Sequence, residues 1–431
     1  MSTPAKRIAF HTLGCKLNFS ESSTIKRDFI KRGYESVPYK DSADYYVLNT
    51  CSVTENADRE ARKLIRQAKR INPFSTVAVI GCYAQLKPDE IADIDGVDLV
   101  LGTNEKFNIL NHLENHKSEN ENKVIHSKNN YDKKFIPSFS IDERTRSYLK
   151  IQDGCDYTCS FCTIPLARGK SRSETIANTV KIAQNIARSD SREIVLTGVN
   201  VGDFGKDSKE TLFDLVQQLD LLKDIDRFRI SSIEPNLLTN DIIEFSSTSK
   251  KFMPHFHIPL QSGSDKILSK MRRRYTSDLF KNRVFEIKSK IPNASIGVDV
   301  IVGFPSETED DFLTTYNFIN SLDISYLHVF TYSERANTDA IAYEQIVSKK
   351  TRAKRSKMLR ILSSKKSRYF NSQFINDVRP VLYESIKNGQ LIGHTDNYIE
   401  VRSGLEPQLI NTIQNVKLFE NCGEYVEGKV Q

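Results

Sequence analysis

The sequence contains no apolar run near the roughly 20 residues needed to cross a bilayer, and Met1 to Arg7 lacks the apolar stretch that opens a secretory leader. No membrane partner and a cytoplasmic, thiol-reducing location are therefore expected. Internal repeats of the solenoid kind are also missing. The seven cysteines are an odd number, which argues against a disulfide framework. At 431 residues and 39% hydrophobic content, the chain has room for two or three domains, each with its own core. A net charge of +7 is too modest to name a partner. Its distribution says more: from Lys349 to Arg368 there is no Asp or Glu against ten Lys or Arg, and Met358, Leu359, Ile361 and Leu362 mark one apolar side. The pattern predicts a basic helix facing a polyanion, with a merely solvated surface helix as the plainer alternative.

The chemistry is concentrated in the cysteines. Cys155, Cys159 and Cys162 form a CxxxCxxC segment just after the apolar strand Tyr148 to Ile151. Three thiolates can hold three irons of a [4Fe-4S] cube, leaving the fourth iron open to a small molecule. No other Cys or His lies close enough in sequence to complete a four-ligand zinc site, and packed or disulfide-bonded thiols are the remaining alternative.

The first hundred residues alternate strand and helix patterns. Ile8 to Leu13, Tyr45 to Leu48 and Val77 to Ile80 read as strands; Ser20 to Arg32, stopped by Gly33, and a segment capped by Thr54 and running through Arg70 read as helices. Alternation of this kind implies a parallel sheet. Cys15, Cys51 and Cys82 each follow the carboxyl end of one of these strands, the edge where ligands bind in open parallel sheets. They form a second candidate three-cysteine site, with three unrelated buried thiols as the alternative. His112 to Asp132 is poor in apolar residues and reads as linker.

From Ser147 the alternation resumes, with strands at Tyr148 to Ile151, Glu193 to Thr197, Phe228 to Ser232, His255 to Leu260, Gly297 to Val302 and Tyr326 to Phe330. Six βα units give a partial (β/α)6 barrel, with polar or Gly-rich loops crowding one mouth. After the basic helix come short runs, Val378 to Ile386, Leu391 to Thr395, Asn397 to Val401 and Thr412 to Leu418, which suggest a small β-barrel holding Cys422 as a free thiol. The fold class is thus α/β. Its expected divisions are an amino-terminal parallel-sheet domain at 1–115, a linker at 116–140, the partial barrel at 141–369 and the small barrel at 370–431.

Specific wording strengthens these readings. Thr12-Leu13-Gly14-Cys15-Lys16-Leu17-Asn18, Asn49-Thr50-Cys51-Ser52-Val53-Thr54 and Gly81-Cys82 resemble the amino-terminal cluster motifs of the radical S-adenosylmethionine methylthiotransferases. Lys150 through Cys162, followed by Ala167-Arg168-Gly169-Lys170-Ser171-Arg172-Ser173, resembles that family's radical core. Gly393-His394-Thr395-Asp396-Asn397-Tyr398 is similar to its RNA-binding TRAM module. Arg229-Ile230-Ser231-Ser232-Ile233-Glu234-Pro235 and Met271-Arg272-Arg273-Arg274-Tyr275 are closest to the branch that modifies N6-threonylcarbamoyladenosine at position 37 of tRNA. Two departures stand out: Ser306 replaces the usual Gly of a Gly-Phe-Pro-Gly-Glu-Thr loop, and Phe330 to Asn337 lacks the customary Pro and Gly.

The resemblance implies two [4Fe-4S] clusters, held by Cys155, Cys159, Cys162 and by Cys15, Cys51, Cys82. It further implies S-adenosylmethionine at the first, a radical that takes the C2 hydrogen of adenine, and a sulfur delivered from the second. An aromatic C2–H offers side-chain acid-base catalysis no route, and the cofactor supplies the reactivity. Expected cofactor contacts are Phe161, Thr197, Gly198, Ser232, Glu234, Gln261, Ser262, Val302 and Gly303. Part of the Gly303 to Asp311 signal is an ordinary helix start, with Thr308 as cap. A threonylcarbamoyl carboxylate calls for a guanidinium, for which Arg168, Arg172, Arg272 and Arg273 are candidates; phosphate or surface roles are the alternative. Expected partners are the tRNA anticodon loop, an electron donor such as flavodoxin or ferredoxin, and a sulfur donor. Rival readings are methylthiolation of isopentenyl-adenosine or of a ribosomal-protein aspartate, and a noncatalytic iron-sulfur RNA-binding protein.

Overall fold

A computed structural model of the chain describes residues 5–51, 55–115, 124–125, 134–141 and 145–431, with 55–57 described as backbone only. The chain forms two compact units. The first comprises Met1–Ser140, Tyr148–Tyr157 and Cys162–Arg172; the second comprises Ile141–Ser147, Thr158–Phe161 and Ser173–Gln431.

In the first unit, β1 (Arg7–Thr12), β2 (Glu35–Val37), β3 (Tyr45–Thr50), β4 (Thr76–Gly81), β5 (Leu99–Leu101) and β6 (Val124–Ile125) form one sheet in the order β2-β1-β3-β4-β5-β6. Every pairing is parallel, as the sequence implied. β3 is buried at every position, as a strand covered on both faces must be. The helices α1 (Lys16–Lys31), α2 (Glu55–Ile71) and α3 (Cys82–Leu86) follow β1, β3 and β4. α1 starts at Lys16 rather than Ser20. Its first turns bury Asn18, Ser20, Glu21, Ser22 and Ser23, and a helix face made of polar residues carries no apolar period to read. β2 and β5, three residues each, are too short for alternation to register. Thr54, the expected cap, lies outside the described residues, as does most of the expected linker. β7 (Ser138–Phe139) pairs antiparallel with β8 (Arg146–Lys150) through Ser138↔Lys150 and Phe139↔Leu149. The short strands β9 (Gln152–Asp153) and β10 (Arg172–Ser173) follow.

In the second unit, β11 (Glu193–Thr197) and β12 (Arg227–Ile230) run parallel, as do β13 (His255–Gln261), β14 (Ser295–Val302) and β15 (Tyr326–Thr331). Single bridges Phe228↔Phe252 and Ser232↔His257 join the two sets. Arg192 N–H donates to Thr145 O at 3.4 Å, which sets the start of β8 beside β11. β11 to β15 thus run in the parallel order expected of the partial barrel.

The carboxy-terminal strands β16 (Val378–Lys387), β17 (Gln390–Thr395), β18 (Glu400–Ser403), β19 (Ile413–Asn421) and β20 (Val426–Val430) close a barrel in the order β16-β17-β18-β20-β19. β18 starts later than expected because Asn397 and Tyr398 make a turn: Tyr398, at φ 71°, donates its N–H to Thr395 O. β20 was not foreseen. The helix Lys349–Ser372 carries the basic run and lends Phe370 to the small barrel's core. That barrel caps the amino-terminal mouth of the larger one. Arg229 donates to Asp396 O at 2.8 Å and Thr395 O at 3.0 Å, Arg227 donates to Pro380 O at 2.8 Å, and Tyr398 stacks on His255 at 4.2 Å.

Candidate active site

β1, β3 and β4 are neighbours in the first sheet, with Thr12 opposite Asn49 and Thr50 opposite Gly81. Their carboxyl ends therefore line up, and Cys15, Cys51 and Cys82 follow those ends. Cys15 occupies the position before α1, is exposed and has no side-chain cap bond; Cys82 opens α3. Glycines make the close approach possible. A Cβ on Gly14 would lie 2.7 Å from Cys51 Cβ, and one on Gly81 would lie 2.4 Å from both Asn49 Oδ1 and Thr50 O. Side chains tie the three loops together: Asn18 donates to Leu13 O and Thr50 O, Asn49 donates to Asn18 O, and Thr50 donates to Ile80 O at 2.6 Å. None of the seven cysteines is disulfide-bonded.

Beneath these loops lies a buried charge network absent from the sequence reading. Arg168 donates to Glu21 at 3.1 Å, Asp153 at 2.9 Å and Asn18 Oδ1 at 2.5 Å. Lys106 and Lys150 also pair with Glu21, and Arg172 pairs with Asp153. Burial alone would raise the Glu21 carboxyl, but Arg168, Lys106 and Lys150 hold it below the usual range. Burial pushes the Cys82 thiol up while Arg168 pulls it down and Cys15 adds to the rise, so these groups lie within electrostatic reach of one another. Four cations face two carboxylates, and the surplus positive charge suits thiolates. Three thiols on aligned loops beside surplus cations fit a cluster with three protein ligands.

Of the other triplet, Cys155 and Cys162 belong to the first unit and Cys159 to the second. Cys155 Sγ accepts from Tyr157 N–H at 3.3 Å, and Cys155 N–H donates to Gly169 O. Gly154, at φ +71°, is obligatory, since a Cβ there would lie 2.0 Å from Lys170 O. Cys159 Sγ accepts from Arg273 at 3.2 Å; burial pushes its thiol up against the pull of that guanidinium.

Apart from Phe161, the expected cofactor contacts fall along the carboxyl ends of β11 to β14. Gln261 ends β13 at φ 64°, and its buried Oε1 has no hydrogen-bond partner among the described residues, an acceptor suited to a ligand hydroxyl. Thr197 and Val302 are buried. Gly198 and Ser232 are partly exposed. Ser262 bonds Thr315, and Glu234 pairs with Arg273. Gly303, at φ +75°, donates to Glu307, and a Cβ there would meet Arg352. Phe161 packs edge to face on Phe304. Ser306 adopts φ +68°, the conformation for which glycine is suited, and is held by Gln345 O and Glu344 O; Asn337 likewise sits at φ +64°.

Each of the four candidate arginines is paired with a carboxylate of the protein. Arg168 and Arg172 are committed to Asp153, Arg273 to Glu234 and Cys159, and Arg272 to Asp339. Polar residues on the inner strands, His257, Asp299 and His328, were missed; the alternation of β13 to β15 was the signal that placed them on one face.

Residues 7–102 match a family described as uncharacterized protein family UPF0004, and residues 149–319 match the radical SAM superfamily. The chain is 40% identical to the threonylcarbamoyladenosine tRNA methylthiotransferase MtaB of Bacillus subtilis, covering 98% of this chain and 96% of that one. It is 38% identical to the MtaB protein of Aquifex aeolicus over 92% and 96% of the two chains. It is 32% identical to the tRNA-2-methylthio-N(6)-dimethylallyladenosine synthase of a Hydrogenobaculum species over 89% and 90%. Among solved structures, the radical S-adenosylmethionine methyltransferase TsrM of Kitasatospora setae shares the fold, with a TM-score of 0.58 at 13% identity over 78% of this chain and 77% of that one. Membership of the radical SAM superfamily implies one [4Fe-4S] cluster and S-adenosylmethionine. Among the described residues no helix is long and apolar enough to cross a membrane. With such identities over nearly the whole of both chains, the protein belongs to the radical S-adenosylmethionine methylthiotransferase family and is a tRNA methylthiotransferase.

Proposed function

We propose that the enzyme converts N6-threonylcarbamoyladenosine at position 37 of tRNA to its 2-methylthio derivative, using a second [4Fe-4S] cluster on Cys15, Cys51 and Cys82. The observation that carries the substrate is the ranking of relatives: 40% and 38% identity to proteins named for threonylcarbamoyladenosine, against 32% to one named for dimethylallyladenosine. The alignment of three cysteines on adjacent strand ends supports the second cluster.

When bound, the cofactors supply homolytic removal of the adenine C2 hydrogen and a sulfur for insertion. The residues of the chain do the rest. Cys155, Cys159 and Cys162 would hold one cluster, with Arg273 donating to the Cys159 sulfur. Gln261 Oε1 would accept from a cofactor hydroxyl, with Gly198, Ser232 and the backbone at Gly303 lining the same mouth. Arg168 would draw the Cys82 thiol toward its anionic form through its charge, against the rise that burial imposes. The domain division given above, an electron donor such as flavodoxin or ferredoxin, a separate sulfur donor and a cytoplasmic setting belong to the same proposal.

The test is anaerobic turnover of reconstituted enzyme with threonylcarbamoylated tRNA, read by mass spectrometry. The 2-methylthio product is expected there; a product formed from isopentenylated tRNA alone would reassign the substrate. Cys162→Ala should abolish cofactor cleavage, whereas Cys51→Ala should retain cleavage and stop sulfur insertion. Equal loss of both activities in Cys51→Ala would contradict the division of labour.

A further inference from the structure

The inner strands of the partial barrel present two unlike faces. On β14, Val298, Val300 and Val302 are fully buried, whereas Asp299 and Ile301, of opposite parity, are partly exposed. His257 on β13 and His328 on β15 share the Asp299 face. His257 Nε2–H donates to Asp299 Oδ1 at 2.8 Å, the two imidazole rings meet edge to face at 5.2 Å, and the ligand atoms of the three residues lie within 4.8 Å of one another. His328 is exposed and Phe330, next on the same face, is 41% exposed, so this face opens on accessible space. Toward the strand starts the space is closed by polar rings: His255 stacks on Tyr398 at 4.2 Å, and the Arg229 guanidinium lies 5.0 Å from the Tyr398 ring centre.

An apolar N6 substituent on this lining would set hydrocarbon in place of water against the exposed His328 imidazole and the His257–Asp299 pair, a desolvation cost that disfavours such a ligand. A threonylcarbamoyl arm brings a urea, a hydroxyl and a carboxylate. Asp299 can accept from its N–H or O–H groups, and an imidazole N–H can donate to its carboxylate. The four arginines expected to meet that carboxylate are each already paired with a carboxylate of the protein. We infer that His257, Asp299 and His328 form the binding site for the N6 threonylcarbamoyl arm of the target adenosine, an inference that rests on the substrate reading above.

RNA stem-loops differing solely at N6 of the target adenosine, bearing threonylcarbamoyl, isopentenyl or hydrogen, test it by equilibrium binding and single-turnover modification. Parent, His328→Phe and Asp299→Asn are compared, with iron content and melting temperature checked for each; both substitutions nearly conserve volume, and His328 is exposed. The parent should prefer the threonylcarbamoyl RNA, and each variant should lose that preference by about 10- to 100-fold. Variants that keep the parent's preference would overturn this site while leaving the substrate reading intact. A parent that prefers the isopentenyl RNA would overturn both. A stoichiometric zinc or extra iron, present in the parent and lost in His328→Phe, would show a metal site instead.

Discussion

Arg168 stands in a motif where a substrate contact was expected, yet its side chain is 1% exposed and joined to Glu21, Asp153 and Asn18. Replacing it by Met would leave Asp153 and Glu21 short of a charge partner inside the protein, a loss of roughly 3–5 kcal/mol for a buried pair. Arg168→Met should therefore lower the urea midpoint strongly, and Arg168→Lys, which keeps the charge but loses the fork to Asn18, should lower it less. An unchanged midpoint in the Met variant would remove the network from the account. Ser306 illustrates the opposite case, a residue tolerated against its preference. At φ +68° a Cβ costs about 1 kcal/mol, so Ser306→Gly should raise stability by about that amount in the same unfolding experiment, offset in part by the lost bond to Glu344 O.

Among the elements, the strands with a clean pattern were legible in the sequence, and so was the placement of the cysteines after them. α1 was legible only in part, because it buries Asn18, Glu21 and three serines against the cysteine loops. The charge network was invisible for a related reason: Glu21, Lys106, Lys150 and Arg168 come from distant segments, and charged residues read one at a time predict exposure. The basic helix Lys349–Ser372 was legible as a helix, but Arg352 and Arg355 turn inward to Glu334, Glu307 and Glu309. Lys354, Lys357 and Arg360 remain exposed. If they meet tRNA phosphates, Lys354→Ala with Lys357→Ala should weaken tRNA binding regardless of N6 modification and reduce the salt slope by about 0.9 for each phosphate left unneutralised. An unchanged slope would mark the helix as merely solvated. The first turn of the helix Glu309–Ser321, after β14, carries a pH signature. Burial would raise the Asp311 carboxyl, but hydrogen bonds from Lys266, Thr308 and Ser264 bring it down to about 2. A depressed carboxyl stabilises the fold above its unfolded value near 4 and loses that contribution as pH falls through about 2. Melting temperatures should thus fall across this window, and Asp311→Asn should flatten that part of the curve; a parallel curve would reject the assignment.

For the molecule as a whole, the two cysteine triplets stand in unlike surroundings. One lies on aligned strand ends within the first unit, beside surplus cations; the other lies on a continuous CxxxCxxC segment braced by Gly154 and Arg273. The small barrel seals the strand-start end of the partial barrel through Arg227, Arg229 and Tyr398, which leaves the opposite mouth for chemistry. Both triplets bear on the number of clusters the chain can hold. Iron and sulfide counting on anaerobically reconstituted protein measures it directly. About eight iron and eight sulfide per chain are expected for the parent, and about four of each for Cys51→Ala; four in the parent, or zinc in place of iron, would contradict the two-cluster assignment.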